Sequence, residues 1–185
     1  IWVEITLIQK MINFKKIRIH FVLIFLLMHF ITIAPANSLT SREDLFKNAL
    51  DLSSSGNFSI ALQEWNSYLK SFPDDAAALS NRGNIKLAIG DFEGSISDQD
   101  QAIALEPAEV DPYINRGIAK EALGFWLLAK EDYLSVLSKD SENYSALYNF
   151  GNVEGSLSNW KKARDLFSKA AYSNPGFAMA RSSMA

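Results

Sequence analysis

Five asparagines recur at a fixed spacing, and their side chains carry the most suggestive chemistry in this sequence. Asn81, Asn115 and Asn149 follow one another at intervals of 34 residues, and Asn84 and Asn152 lie three residues after the first and the last of them. A primary amide both donates and accepts hydrogen bonds, so it can pair with the N–H and the C=O of an extended peptide. Such amides, repeated once per structural unit, would hold a peptide backbone without requiring a particular sequence.

The composition argues against catalysis. The chain has no cysteine, and its two histidines, His20 and His29, both lie near the N-terminus. The rest of the chain therefore lacks thiol chemistry, imidazole acid–base chemistry and the usual ligands of zinc, haem and iron–sulfur clusters. Neighbouring carboxylates such as Asp98 and Asp100 are interpreted as solvated helix faces. We expect no enzymatic activity, no cofactor and no metal site.

Charge favours a protein or peptide partner over nucleic acid. The chain has 18 basic and 21 acidic residues and a formal net charge of −3. Its densest basic cluster is short, consisting of Lys161, Lys162 and Arg164. Nucleic-acid binding depends on a basic surface that neutralises phosphates, so we do not expect it here.

Oppositely charged residues also recur, 16 positions apart: Arg82 with Asp98, and Arg116 with Asp132. We predict that each pair joins the two helices of one structural unit and keeps them in register. Phe150 and Leu166 occupy the same positions later in the chain. Because both positions become apolar together, we predict a hydrophobic contact there in place of the ion pair. An exposed pair would contribute little to stability.

The 34-residue spacing extends well beyond the asparagines. Asn81-Arg82-Gly83 is repeated as Asn115-Arg116-Gly117 and as Asn149-Phe150-Gly151, and small, aromatic and proline residues follow the same interval. A fixed period of this length indicates a stacked helical array. It divides the chain into four units: 42–75, 76–109, 110–143 and 144–177.

Each unit carries the signals of two helices joined by a tight turn. Small residues at the eighth position would let the two helices approach closely: Ala49, Gly83, Gly117 and Gly151. Glycines at the turn would end the first helix in a left-handed conformation: Gly56, Gly90 and Gly124. Polar residues after them would cap the second helix: Asn57, Asp91 and Asn159. Prolines would end it: Pro73, Pro107 and Pro175.

These positions together resemble the tetratricopeptide repeat family, and the resemblance covers residues 42–177. It implies an all-α fold, a right-handed α-solenoid of antiparallel helix pairs. Departures from the family pattern include Gln99 in place of an aromatic residue and Ser141 in place of a proline.

The resemblance also implies a concave groove lined by the first helix of each pair. The residues that it places there are Asn81, Asn84, Asn115, Asn149, Asn152, Tyr148, Ile114 and Ile118. The first amide of each unit is similar to the asparagine ladder of the O-GlcNAc transferase superhelix, at Asn81, Asn115 and Asn149. Alternatively, asparagine is only a tolerated exposed residue, and the three apolar side chains only pack against neighbouring helices. The family's clamp for C-terminal carboxylates is not expected. At the five matching positions its two asparagines are present, as Asn84 and Asn115, but Ser80, Ser145 and Asn149 stand where its cations should be.

The N-terminal residues look like an export signal. After Met11 come basic residues, an apolar run over 21–33 and then Ala34-Pro35-Ala36. This order is typical of a cleavable signal peptide, so we predict cleavage after Ala36 and a short linker over 37–41. Alternatively, residues 21–33 remain as a membrane anchor. Export of a bacterial or cyanobacterial type of repeat protein would lead to the periplasm or the thylakoid lumen. Residues 178–185 resemble the start of a truncated fifth repeat or a capping helix.

The function implied by the resemblance is a non-catalytic scaffold or adaptor that binds an extended peptide segment in the groove. Two alternatives stay open. One is a membrane-anchored assembly factor for membrane complexes, such as photosynthetic ones. The other is an accessory module of an enzyme that continues beyond Ala185.

Overall fold

The computed structural model describes residues 41–176, and within this range the chain forms eight α-helices and no strand. In chain order they are α1 (Arg42–Ser54), α2 (Phe58–Ser71), α3 (Ala76–Ala88), α4 (Phe92–Leu105), α5 (Asp111–Ala122), α6 (Trp126–Lys139), α7 (Tyr144–Ser156) and α8 (Trp160–Ser173). The all-α prediction is therefore confirmed. The predicted export signal (1–36), most of the linker and residues 178–185 lie outside the described residues.

Each of the four units contains one helix pair, joined by a three-residue turn. The predicted left-handed conformation is present at Gly56, Gly90 and Gly124, whose φ angles are 78°, 85° and 78°. Ser158 adopts the same conformation at φ 63° although it carries a side chain. The turn geometry thus survives the loss of glycine in the last unit.

The predicted N-caps of the second helices are correct at only one position. The Asp91 side chain accepts a hydrogen bond from Gly94 N at 3.0 Å. The side chains of Asn57 and Asn159 make no cap hydrogen bond. The amide of Asn159 instead donates to Glu154 Oε2 at 2.6 Å, because that buried carboxylate needs partners more than the helix end does.

Close packing between the helices of a pair depends on the small residue at the eighth position. A Cβ atom on Gly117 would lie 2.6 Å from Cε1 of Tyr133, and one on Gly151 would lie 2.5 Å from Cε1 of Phe167. Both rings are buried. Burial of a large apolar side chain contributes about 1.5–3 kcal/mol, so these contacts are a major source of stability within a pair.

The second unit has a polar interior at the equivalent place. Gln99 replaces the ring, and its Nε2 would lie 2.6 Å from a Cβ atom on Gly83. Gln99 and Ser95 are both fully buried, and within the described residues neither Gln99 Oε1 nor Ser95 Oγ has a hydrogen-bond partner. The hydrophobic cluster around Trp65 extends into this pair through Leu79, Ile85 and Ala102, and the cluster around Tyr133 belongs to the later units.

Successive units stack through their first helices. In addition to contacts between consecutive helices, α1 contacts α3, α3 contacts α5 and α5 contacts α7. Within the described part of the chain, the second helices make no comparable contacts with one another. An array that is closer-packed along one row of helices curves toward that row. The first helices therefore line the inner, concave face of residues 42–173; the right-handed sense stays a prediction.

Two glycines of α7 test the close approach to Phe167. Changing Gly151 to Ala should lower the free energy of unfolding by about 1–3 kcal/mol, because the new methyl group overlaps the buried ring. Changing Gly155 to Ala should leave it unchanged or raise it by up to about 1 kcal/mol, because the nearest atom lies 3.8 Å away and alanine favours the helix. Urea denaturation followed by circular dichroism measures both effects.

The two variants share one helix and one kind of substitution, so Gly155→Ala controls for helix propensity. Equal stabilities of the two variants would contradict the packing described here.

Candidate functional site

Three asparagines occupy equivalent positions on α3, α5 and α7, which pack side by side. Asn81, Asn115 and Asn149 are all partly exposed. Asn81 Nδ2 donates to Ala77 O at 2.8 Å within its own helix, which leaves its Oδ1 available. Within the described residues, Asn115 and Asn149 make no side-chain hydrogen bond. At least two amides on the concave face are therefore free to bind a ligand.

A pocket of about 230 Å³ opens on this face between the second and third units. Asn81 and Asn84 both line it. Its other lining residues come from the start of α3, the end of α4 and the start of α5: Ala76, Ala77, Ser80, Ala102, Glu106, Glu109, Asp111 and Pro112. The sequence analysis did not place the three acidic residues in the site. Two of them lie in the loop between units, and only the fold brings them beside the asparagines.

The predicted apolar contact patch on the groove is not formed as expected. Ile114 is only 8% exposed and packs with Val136 and Ala146 in the core. Ile118 packs against the same cluster, and the Tyr148 ring lies 5.4 Å from the Phe167 ring. Ile114 and Ile118 thus pack at the boundary between the third and last units, so the packing alternative is correct for Ile114. Asn152 is partly exposed and is not among the residues that line the pocket.

Both predicted ion pairs are confirmed. Arg82 lies 2.7 Å from Asp98, and Arg116 lies 2.6 Å from Asp132. The interpretation of Asp98 as part of a solvated face is wrong, since its side chain is only 2% exposed. Because the helix pair encloses these carboxylates, the pairs cannot be treated as weak surface contacts.

Each buried carboxylate also has a second cation that the sequence analysis missed. Lys86 lies 2.9 Å from Asp98, and Lys120 lies 2.8 Å from Asp132. Both lysines come four residues after the paired arginine, which is one helical turn. That spacing was the signal in the sequence that could have revealed the second cation of each carboxylate.

The two arginines also tie consecutive units together. Arg82 donates to Asn66 Oδ1 at 3.1 Å, and Arg116 donates to Asp100 Oδ1 at 2.5 Å. Each of these acceptors lies on the second helix of the preceding unit, 16 residues before the arginine. One guanidinium therefore links three helices. In the last unit, Phe150 and Leu166 share one hydrophobic cluster, as predicted.

In the last unit, the buried carboxylate lies on the first helix of the pair instead of the second. Glu154 on α7 is 1% exposed and accepts hydrogen bonds from Lys162 at 2.7 Å and Asn159 at 2.6 Å, with Lys130 at 3.0 Å. Burial alone would raise the pKa of the Glu154 carboxyl, but these three partners outweigh it and lower the pKa to about 2. The carboxylate is thus charged at neutral pH and holds α6 and α8 against α7.

Glu121 on α5 shows the opposite behaviour. Tyr133 Oη donates a hydrogen bond to Glu121 Oε1, and no ion pair accompanies it in the described residues. Burial therefore raises the pKa of Glu121 to about 6, against a smaller lowering by the tyrosine. The same burial, together with the nearby carboxylate, raises the pKa of Tyr133.

Two absences concern residues 41–176. No three His, Cys, Asp or Glu side chains converge there to hold a metal ion. None of the helices in this range combines the length and apolarity needed to cross a bilayer.

The two glutamates predict opposite effects of the same substitution on stability. The folded-state pKa of Glu154 lies below the ordinary 4.5, so its contribution is complete above pH 4.5 and is lost as the pH falls toward 2. Glu154→Gln should cost about 1–3 kcal/mol near pH 7 and less as the pH drops below about 4.5.

The folded-state pKa of Glu121 lies above 4.5, so ionisation of its carboxyl costs stability as the pH rises through about 6. Glu121→Gln should raise the melting temperature near pH 7.5 and leave it unchanged near pH 4.5. Calorimetry of both variants across this range measures the two trends. Shifts of the same sign near neutral pH would contradict the assignment.

Comparison with known proteins identifies the repeat. Residues 46–110 match the tetratricopeptide repeat family. The mitochondrial import receptor subunit TOM34 of mouse (Mus musculus) is 35% identical over 86 residues, which is 46% of this chain and 28% of the receptor subunit. The TOM34 of Pongo abelii is 31% identical over 113 residues, covering 60% of this chain and 37% of that protein. The chain thus spans about a third of the length of these relatives.

Solved structures agree on the fold. The crystal structure of MamA superposes with a TM-score of 0.66 at 21% identity, over 74% of this chain and 80% of MamA. The first tetratricopeptide repeat domain of Spaghetti (RPAP3), bound to the HSP90 peptide SRMEEVD, superposes with a TM-score of 0.61 at 23% identity. That match covers 63% of this chain and 93% of that domain. Residues 46–110 are therefore similar to tetratricopeptide repeats, and the described helices continue the same helix-pair construction as far as Ser173.

Proposed function

We propose that this protein is a non-catalytic scaffold that holds an extended segment of a partner protein on the concave face of its first helices. One observation carries the proposal. Asn81, Asn115 and Asn149 lie at equivalent positions on helices that pack side by side, and the amides of the last two have no partner within the described residues. Each amide offers a donor and an acceptor to a passing backbone.

The spacing of the amides suits an extended chain. Packed helices lie roughly 8–10 Å apart, and an extended peptide advances about 3.3 Å per residue. A segment crossing α3, α5 and α7 would therefore meet one asparagine at about every third residue. Such contacts select an extended conformation more than a side-chain sequence.

Similar proteins support a role in protein binding. TOM34 is an import receptor subunit, and the RPAP3 domain holds a peptide of HSP90. The partner of this chain differs in chemistry, because the positions of the carboxylate clamp carry no cation. Affinity for a single short segment should be modest, since ordering a flexible peptide costs part of the contact free energy.

We propose that the protein is exported before it binds its partner. The reason is that basic residues, an apolar run and small residues follow one another over 11–36, as in a signal peptide. N-terminal mass spectrometry of the protein from its native cells tests it. A chain that begins at Asn37 would support export with cleavage, whereas a chain that begins at Met11 would favour an uncleaved anchor.

The asparagine ladder predicts a loss of peptide capture without a loss of folding. A random peptide library displayed on phage is selected on the full-length protein and on a variant with Asn81, Asn115 and Asn149 all changed to Ala. The parent should enrich a set of peptides, and the variant should lose that enrichment. Circular dichroism and the melting temperature should stay near the parent values, because these amides support no core contact.

A matched control removes three exposed polar side chains from the second helices: Gln63, Gln101 and Ser138, each changed to Ala. It should enrich the same peptides as the parent. If the asparagine variant also retains them, the ladder does not bind peptide.

A further inference from the structure

We propose that the pocket between the second and third units binds a cationic side chain, Lys or Arg, of the extended segment. The inference rests on the proposed function, and it adds that the bound segment of the partner is basic. The pocket lies directly on the path along α3 and α5, since Asn81 is a member of both the ladder and the pocket wall.

The size of the pocket fits one side chain. Its volume of about 230 Å³ is below the roughly 300–1,000 Å³ of sites that enclose drug-sized ligands. Amide groups of Asn81 and Asn84 lie on one side, and the carboxylates of Glu106, Glu109 and Asp111 lie on the other. A long, flexible ammonium or guanidinium group is the complement of this lining.

The three carboxylates have no internal countercharge. No Lys or Arg lines the pocket, and none of Glu106, Glu109 and Asp111 has an ion pair within the described residues. Lys139 reaches this loop, where its ammonium group contacts the carbonyl of Pro107 and the ring of Tyr113. This contrasts with Asp98, Asp132 and Glu154, each of which has two cations. Unpaired like charges in a concavity attract a cationic partner.

A second, independent feature lies beneath the pocket. The fully buried Gln99 amide donates through Nε2 to Ser80 O at 3.1 Å and to Asn84 Oδ1 at 3.4 Å, and both acceptors belong to pocket-lining residues. Within the described residues its Oε1 has no hydrogen-bond partner. A buried amide that is unsatisfied on its acceptor side thus lies against two residues of the pocket wall.

The full set of three acidic residues is specific to this junction, since the equivalent positions carry one acidic residue at the preceding junction, Asp75, and one at the next, Asp140. At the next junction, the residues at the positions of Glu109 and Asp111 are Asn143 and Ser145, and Asn143 is already used to cap α7. The pocket near the end of the described array includes Lys169 beside Glu142. A cationic side chain is therefore expected to select one register of the bound segment.

The same charges exclude the peptide type seen in a similar structure. The HSP90 peptide bound to the RPAP3 domain, SRMEEVD, ends in acidic residues. On this chain, such a segment would place its carboxylates beside Glu106, Glu109 and Asp111 without any lining cation. Repulsion at this site thus makes a basic peptide preferred over an acidic one.

The test extends the library selection to three variants of the full-length protein. The pocket variant carries Glu106→Gln, Glu109→Gln and Asp111→Asn. The charge-matched control removes three exposed carboxylates from the second helices through Glu93→Gln, Glu131→Gln and Asp165→Asn. If the triple pocket variant loses its helical content, the single variant Glu106→Gln replaces it in the selection.

The parent and the control should enrich peptides with a Lys or Arg at one position, and the pocket variant should enrich peptides without that preference. For one selected peptide, changing that residue to Gln should weaken binding to the parent about tenfold and to the pocket variant less than about twofold. Enriched peptides that lack a basic preference in the parent would overturn the pocket inference and leave the scaffold standing. No enrichment by the parent would overturn both.

Discussion

The distance between the two helices of each unit depends on one contact. In it, a bulky side chain of the second helix packs against a glycine or an alanine of the first helix. Tyr133 lies over Gly117 and Phe167 lies over Gly151. This contact brings each second helix close enough for buried charges to bridge the pair. The first helices of successive units in turn contact one another and form the concave face. Everything proposed about binding depends on that face.

In addition to this packing, buried ion pairs determine the register of the two helices in a unit. In the second and third units, a carboxylate on the second helix receives an arginine and a lysine from the first helix. In the last unit, Glu154 on the first helix receives lysines from the second helices of two units. Replacing a charged partner by an apolar one would strand a buried charge. This explains why Phe150 and Leu166 become apolar together. Carboxylates with two cations each in the interior contrast with the unpaired carboxylates of the pocket, and that difference supports the binding role proposed for the pocket.

The sequence was sufficient for the helix pairs, the left-handed turns and the ion pairs of Arg82 and Arg116, because each depends on residues at a fixed interval. It was insufficient where side chains had competing partners. Asn159 turns away from its helix end to satisfy Glu154, and Ile114 is drawn into the core between units. The acidic pocket was also missed, because Glu106, Glu109 and Asp111 come from a loop and a helix start. Only the stacking of α3 on α5 shows that they converge beside Asn81.

The central claim is that an extended, basic segment binds along the first helices. Two-dimensional NMR of the side-chain amides tests it most directly, by titrating a labelled full-length protein with a selected Lys-containing peptide. The Nδ2 resonances of Asn81, Asn115 and Asn149 should shift together, whereas the Nε2 resonances of Gln63 and Gln101 should stay in place. Shifts confined to the second helices, with the three asparagines unmoved, would contradict it.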